Sequence, residues 1–178
     1  MRIGPQAIRE FLRDGLRRKI VSDLRRKLIV SEADLHSCVY YHIRRFLRRD
    51  SKWAIFSKAF IQGLSIYPDI LLKRRGVPRI AIELKEKRTM RADWFKADMR
   101  KLQVLWSRGQ WPIIGFLICL VRERRQETVL RHLAEFEWRI PGQRKHVFPI
   151  IINVRDHLRD WHGFREWWRR HAKTRLGT

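Results

Sequence analysis

Apolar residues in the first fifty positions recur with helical spacing. In residues 5–28, leucine or isoleucine occupies every fourth position from Ile8, and arginines fill the other faces. This pattern predicts an amphipathic helix that is broken at Gly15. A second helix is predicted to follow, because Ser31 to Asp34 (SEAD) has the form of a helix cap and an apolar stripe continues to about residue 49.

From residue 52 onward the apolar positions form short runs, which are typical of strands. Residues 53–60, 66–72 and 79–85 are predicted as three strands, with KRRGVP at 73–78 as the turn between the last two. Helical spacing returns at 91–108 and 124–138, and the runs 113–121 and 147–154 are predicted as strands. This order of elements predicts an α/β fold in which a mixed β-sheet is flanked by helices.

The chain has 178 residues, a length that fits one domain able to bury its core without disulfides. We expect a single domain over 1–178, with a basic N-terminal helical extension (1–30), a core (31–121) and a C-terminal part (122–178). The C-terminal part is predicted to hold a helix, a strand and a tail rich in Trp and Arg. The aromatic residues of this tail either pack onto the core or stack on nucleic-acid bases.

The charge balance narrows the class of partner. Forty-one Lys and Arg against 18 Asp and Glu give a formal net charge of +23, so the natural partner is a polyanion. The longest apolar run, 113–121, is well short of the roughly 20 residues of a spanning helix, so no membrane association is expected. No apolar signal segment follows the N-terminus, and we expect a cytoplasmic or nucleoid protein.

The chain has 2 cysteines, Cys38 and Cys119, which sit in apolar segments without CxxC spacing. This argues against both a zinc cluster and a disulfide framework, and both residues are interpreted as small core side chains. The 7 histidines show no metal-binding pair beside a carboxylate at a strand end, and most are interpreted as surface or partly buried polar groups.

Acidic residues are scarce, yet two of them sit on neighbouring predicted strands. Side chains alternate along a strand, so Glu83 and Lys85 share one face while Leu84 points to the other. The hairpin brings the strand that begins near Asp69 alongside, which allows Asp69 to approach Glu83 closely. Two carboxylates and one ammonium group are thereby predicted to converge, the alternative being surface ion pairs with the abundant arginines.

Glu32 is a third acid that the helical pattern singles out. At about 100° per residue it falls within about 20° of Val39 and Ile43, so it lies on the stripe that must be buried. It is either a member of the acidic cluster or a first-turn acid favoured by the helix dipole. Asp34, on the opposite face, is explained as the capping residue.

A cluster of Glu32, Asp69 and Glu83 predicts a divalent metal ion. Like charges about 4 Å apart repel by on the order of 4 kcal/mol at an effective dielectric near 20, and a cation removes this conflict. Oxygen ligands without His or Cys favour Mg²⁺, for which Mn²⁺ substitutes. Such a site can hydrolyse a phosphodiester bond, with Lys85 orienting the water or stabilising the transition state.

The string Pro68-Asp69 followed by Glu83-Leu84-Lys85 resembles the PD-(D/E)xK signature of the restriction-endonuclease-like nuclease superfamily. The resemblance covers about residues 31–121. The segments SEADLHSCVYYHI, PDILL and IAIELK are most similar to archaeal Holliday-junction resolvases and small phage or mobile-element nucleases. A subgroup of the superfamily has Gln and, four residues later, Tyr on the next helix; Gln103 is followed here by Ser107, so that subgroup pattern is not met.

The resemblance implies a restriction-endonuclease-like core and a metal-dependent DNA endonuclease, acting on duplex or branched DNA. It implies that Asp69 and Glu83 bind the metal, that Lys85 assists the nucleophilic water and that Glu32 is the accessory acid. Basic residues near the site and on the terminal segments are candidate DNA contacts. These are Lys87, Lys96, Arg100, Arg17, Arg18, Arg169 and Arg170.

Symmetric cutting of two strands requires two sites, so a C2 homodimer is the expected assembly. Two alternatives keep part of this interpretation. In one, the acidic cluster is structural and the chain is a non-catalytic nucleic-acid-binding or accessory subunit of a recombination, transposition or defence complex. In the other, the same chemistry acts on RNA or within a larger complex.

Overall fold

The computed structural model describes residues 3–48, 50–61, 65–87, 92–107, 113–122 and 147–157. Within these ranges, five strands form one mixed open sheet with helices on both faces. The α/β class with a helix-flanked mixed sheet is therefore confirmed. The helix predicted at 124–138 and the Trp/Arg tail lie outside the described residues.

The N-terminal helix continues through Gly15 instead of breaking there. Helix α1 (Pro5–Glu10) is followed by a π-helical segment (Phe11–Leu16) and by helix α2 (Arg17–Arg25). A Cβ added at Gly15 would lie 2.8 Å from Cδ2 of Phe11, so the glycine makes room for that ring. The Phe11 ring in turn stacks on Phe46 with 4.1 Å between ring centroids, which joins the two N-terminal helices.

Helix α3 (Glu32–Leu47) begins as the sequence predicts. Ser31 Oγ accepts a hydrogen bond from the backbone N–H of Asp34 at 3.1 Å. Asp34 Oδ2 accepts from the Ser31 hydroxyl at 2.9 Å and from the Val30 N–H at 3.1 Å. The cap fixes the point at which Glu32, the first residue of the helix, leaves the loop.

The sheet follows chain order and changes direction in its middle. Strands β1 (Trp53–Ser57), β2 (Ile70–Arg74) and β3 (Val77–Lys87) are antiparallel. Helix α4 (Ala92–Ser107) then crosses over to β4 (Ile114–Val121), which runs parallel to β3 and to β5 (Val147–Asn153), and a short helix α5 (Val154–His157) follows.

The β2–β3 turn is shorter than the six residues predicted. It consists of Arg75 and Gly76, whose φ angles of 51° and 80° are both positive. Two positive φ values match the right-handed twist of the flanking strands, which is the usual geometry of two-residue hairpins. The tighter turn lengthens β3 at its start and fixes the register of β2 against it.

The core consists of two apolar layers, one on each face of the sheet. Even-numbered residues of β3, such as Ile82 and Leu84, are buried against helices α1 to α3. Odd-numbered Ala81 lies on the other face, with Leu102 of α4 and Cys119 of β4. Strand alternation therefore directs Glu83 and Lys85 toward helix α4, into a layer that is otherwise apolar.

Candidate functional site

Asp69 is held in place immediately before β2. Its Oδ2 accepts a hydrogen bond from the backbone N–H of Leu84 at 2.8 Å. Its carbonyl oxygen accepts from the Lys58 N–H at 2.9 Å and lies 3.1 Å from Nε2 of His36. The carboxylate is thus tied directly to the strand that carries Glu83, which is the convergence predicted from the hairpin.

Glu83 is almost completely buried, with 1% of its surface exposed. The last pair of the β2–β3 ladder is Ile70 opposite Ile82, so the same register places Asp69 opposite Glu83. Burial of the carboxyl group raises the pKa of Glu83 to about 7, and the charges of Asp69 and Asp98 contribute to this rise. At neutral pH the ionised form therefore needs a compensating cation.

Lys101 of helix α4 provides one positive charge at this carboxylate. Its Nζ lies 2.7 Å from Oε1 of Glu83 and donates a hydrogen bond to the carbonyl oxygen of Tyr67 at 2.8 Å. The ammonium group lowers the pKa of Glu83, although less than burial raises it. No hydrogen bond of good geometry reaches the buried Oε1 from the described residues, so the contact is an ion pair.

Lys85 lies on the same face of β3 as Glu83 and approaches an acidic residue of α4. Its Nζ lies 3.8 Å from Oδ2 of Asp98. Partial burial lowers the pKa of Lys85, but the charges of Asp98, Glu32, Asp69 and Glu83 together outweigh it and raise the pKa above the ordinary value. Lys85 therefore stays protonated at neutral pH.

Asp98 is the acid that the strand-based prediction did not include. Burial raises its pKa, while Lys85 and Lys101 act in the opposite direction. Its Oδ2 is buried and has no hydrogen-bond partner among the described residues. Like Glu83, it places a buried carboxylate oxygen without a hydrogen bond from the described residues inside the cluster. The nearby ammonium groups of Lys85 and Lys101 offset only part of the cost of burying such charges.

Glu32 reaches the cluster by a different route from the one predicted. Its side chain is exposed, and the buried stripe of α3 begins only at Leu35, so the predicted burial is wrong. The reason is position: Glu32 is the first residue of the helix, and both Glu32 and Ala33 are exposed, so this end of the helix is not covered. Its Oε2 nevertheless accepts from the backbone N–H of Glu86 at 3.3 Å, which keeps it beside β3.

We use the name acidic cluster for the group whose four acids all act on the charge of Lys85. It consists of Glu32, Asp69, Glu83 and Asp98 with the ammonium groups of Lys85 and Lys101. Asp98 and Lys101 were missed by the sequence interpretation. A signal for Asp98 exists: at about 100° per residue it lies within about 40° of Leu102 and Leu105, on the buried stripe of α4.

The predicted DNA contacts fall into three groups. Lys87 shares the β3 face of Glu83 and Lys85 and is half-buried, as is Lys96 of α4, whereas Arg100 is exposed. Arg17 and Arg18 are exposed at the start of α2, on the basic face of the N-terminal helices. Arg169 and Arg170 lie outside the described residues.

A second group of potential ligands lies between α2 and α3. Single ligand atoms of Asp23, Cys38 and His42 lie within 4.8 Å of one another, so this triad can hold a metal ion. Cys38 is only partly buried, and it was interpreted from the sequence as a core residue because CxxC spacing was absent. The signal that was overlooked is the i, i+4 spacing of Cys38 and His42 on one helix.

In comparisons with known proteins, no family model, no curated protein and no solved structure matches the chain. None of the helices in the described ranges combines the length and apolar character needed to cross a bilayer.

Proposed function

We propose that this protein is a Mg²⁺-dependent DNA endonuclease with a restriction-endonuclease-like core. The observation that carries the proposal is the position of Asp69, Glu83 and Lys85. A 2.8 Å hydrogen bond from the Leu84 N–H holds Asp69 against the strand that carries Glu83 and Lys85. Helix α4 adds the charges of Asp98 and Lys101. A buried concentration of charge at a strand end, in a protein of net charge +23, is more typical of a catalytic site than of a core.

The residues present fit a hard divalent cation. Within the part of the chain that the structure describes, buried carboxylate oxygens of Glu83 and Asp98 receive no hydrogen bond, although Lys101 Nζ lies 2.7 Å from the Glu83 oxygen. Asp69 bonds to Leu84 through Oδ2. Oxygen donors of this kind are the ligands of Mg²⁺ and Mn²⁺. Asp69 and Glu83 would hold the ion, with Glu32 at the rim, and the ion would polarise the phosphoryl group and acidify a water.

The chain's own residues have separate tasks in this proposal. The Leu84 N–H fixes the orientation of Asp69. Burial raises the pKa of Glu83, so a bound cation would stabilise its ionised form. Lys85, whose pKa is raised, remains an ammonium group, so it acts by stabilising negative charge on the phosphate and by orienting the water. Lys101 neutralises Glu83 until the metal ion binds.

DNA is the substrate that we favour. The resemblance to junction resolvases and small phage nucleases suggests it, and the exposed arginines of α2 supply contacts to a phosphate backbone. A C2 homodimer would present two such sites to two strands.

One observation favours a non-catalytic alternative. Lys101 already pairs with Glu83 at 2.7 Å, as a structural ion pair would. In that case the cluster stabilises the fold, and the chain binds nucleic acid as an accessory subunit.

A substrate panel separates these possibilities. Single-stranded, duplex, flap and four-way-junction DNA, with the matching RNA duplex, are incubated with wild type and with Asp69→Asn, Glu83→Gln and Lys85→Ala. Exposed Lys19→Ala and Glu10→Gln are the matched charge controls. We expect Mg²⁺-dependent cutting that the three site variants lose and the controls keep, with DNA binding unchanged. Tight binding without cutting of any substrate would support the accessory function instead.

A further inference from the structure

The group formed by Asp23, Cys38 and His42 is chemically different from the acidic cluster. Asp23 Oδ2 lies 2.8 Å from Nε2 of His42 and 3.1 Å from Sγ of Cys38. One carboxylate oxygen of α2 thus faces a thiol and an imidazole that stand one turn apart on α3. The side chains of His42 and Asp23 are only 11% and 15% exposed.

We propose that this triad is a binding site for a soft transition-metal ion, with Zn²⁺ as the natural occupant. Thiolate, imidazole and carboxylate are the three ligand types that zinc accepts in proteins, and three protein ligands leave a fourth position for water. The set does not suit Mg²⁺, which prefers oxygen donors. The chemistry of the ligands therefore separates this site from the one proposed at Asp69 and Glu83.

The three ligand atoms are already gathered without a metal. All lie within 4.8 Å of one another. Ligands of a tetrahedral zinc ion stand roughly 3.3–3.8 Å apart, so side-chain shifts of about 1 Å or less would complete the geometry. On binding, the Cys38 thiol releases its proton to solvent and forms the metal–sulfur bond, while neutral His42 donates the Nε2 lone pair. The two contacts to Asp23 Oδ2 are exchanged for bonds to one ion.

The position of the site predicts what the ion does. It would bridge α2 and α3, and so fasten the N-terminal helical segment to the helix that begins at Glu32. Cys38 is also packed against the core beneath α3, which limits its movement. Cys38 packs in the layer of helices α1 to α3, whereas Glu83 and Lys85 point to the α4 face of the sheet, so the ion would be structural rather than part of the acidic cluster.

Cobalt spectroscopy tests this directly on the full chain. Co²⁺ is added to metal-free wild-type protein, and the near-ultraviolet thiolate-to-cobalt charge-transfer band and the visible bands of tetrahedral cobalt are recorded. We expect both at one equivalent, with Zn²⁺ displacing the cobalt and Mg²⁺ leaving it bound. Wild type that shows no charge-transfer band would overturn the proposal without any variant.

Variants assign the ligands. Cys38→Ser and His42→Asn should lose the charge-transfer band, whereas Cys119→Ala, which removes the other cysteine, and Asp69→Asn should keep it. Zn²⁺ should raise the Tm of wild type and of Asp69→Asn but not that of Cys38→Ser. A band that persists in Cys38→Ser, or disappears in Cys119→Ala, would contradict the assignment. Because Asp69→Asn is inactive under the proposed function, the two proposals fail independently.

Discussion

Replacing Glu83 with Gln should stabilise the metal-free protein above neutral pH. The folded protein raises the pKa of Glu83 from 4.5 to about 7, so it binds this proton more tightly than the unfolded chain does. Stability from this group is therefore fully present below about pH 4.5 and is lost as the pH rises through 7. Gln has the shape of the protonated acid but does not ionise, so the variant keeps this stability at high pH.

The expected gain follows from the shift. A pKa rise from 4.5 to about 7 corresponds to roughly 3 kcal/mol when the group is fully ionised. By linkage, Glu83→Gln should exceed wild type in free energy of unfolding by about 1 kcal/mol at about pH 5 and by about 3 kcal/mol at about pH 8. Urea unfolding in EDTA at both pH values measures the difference.

Two comparisons make this test decisive. Glu10→Gln, the same change at an exposed residue, should show no such growth in its difference from wild type. Adding Mg²⁺ at about pH 8 should stabilise wild type, because the ion binds its folded state. It should not stabilise Glu83→Gln, which lacks a ligand for the ion. A difference independent of pH, or a less stable variant at about pH 8, would refute the burial argument.

Three further outcomes are expected. Lys101→Met removes the charge that lowers the pKa of Glu83, so carboxyl NMR should show this pKa rise above that of wild type, whereas exposed Lys19→Met should leave it unchanged. Gly115→Ala places a Cβ 2.9 Å from that of Leu102 and should cost about 1–3 kcal/mol in urea unfolding; a variant as stable as wild type would contradict this close packing. DNA affinity should fall steeply with salt, and a double Ala variant of Arg17 and Arg18 should reduce the slope of log K against log salt by about 2. A change in slope near zero would argue against DNA contact through α2.

Much of the fold was predictable because it depends on local pattern. The helix cap at Ser31 and the alternation of β3 side chains between the two apolar layers follow from rules about neighbouring residues, and both match the structure. The continuation of the helix through Gly15 was not predictable from local pattern. It depends on the packing of the Phe11 ring over Gly15 and against Phe46. Tertiary packing decided that point, and no property of glycine alone indicates it.

The candidate site divides in the same way. The hairpin rule placed Asp69 beside Glu83, but Glu32 shows that a residue on an apolar stripe is buried only if the helix is covered at that point. Asp98 and Lys101 required knowledge of how α4 crosses the sheet. The triad around Cys38 required the packing of α2 on α3, because its members are separated by as much as 19 residues.

The most direct test of the central proposal is a metal-triggered cleavage reaction. Protein and labelled DNA are mixed in EDTA, so that binding is complete, and excess Mg²⁺ is then added to wild type and to Lys85→Ala in parallel. We predict no cutting before Mg²⁺, prompt cutting by wild type afterwards, and a rate at least about a hundredfold lower in the variant. Cutting in EDTA, or equal rates for the two proteins, would contradict a metal-dependent nuclease centred on Asp69, Glu83 and Lys85.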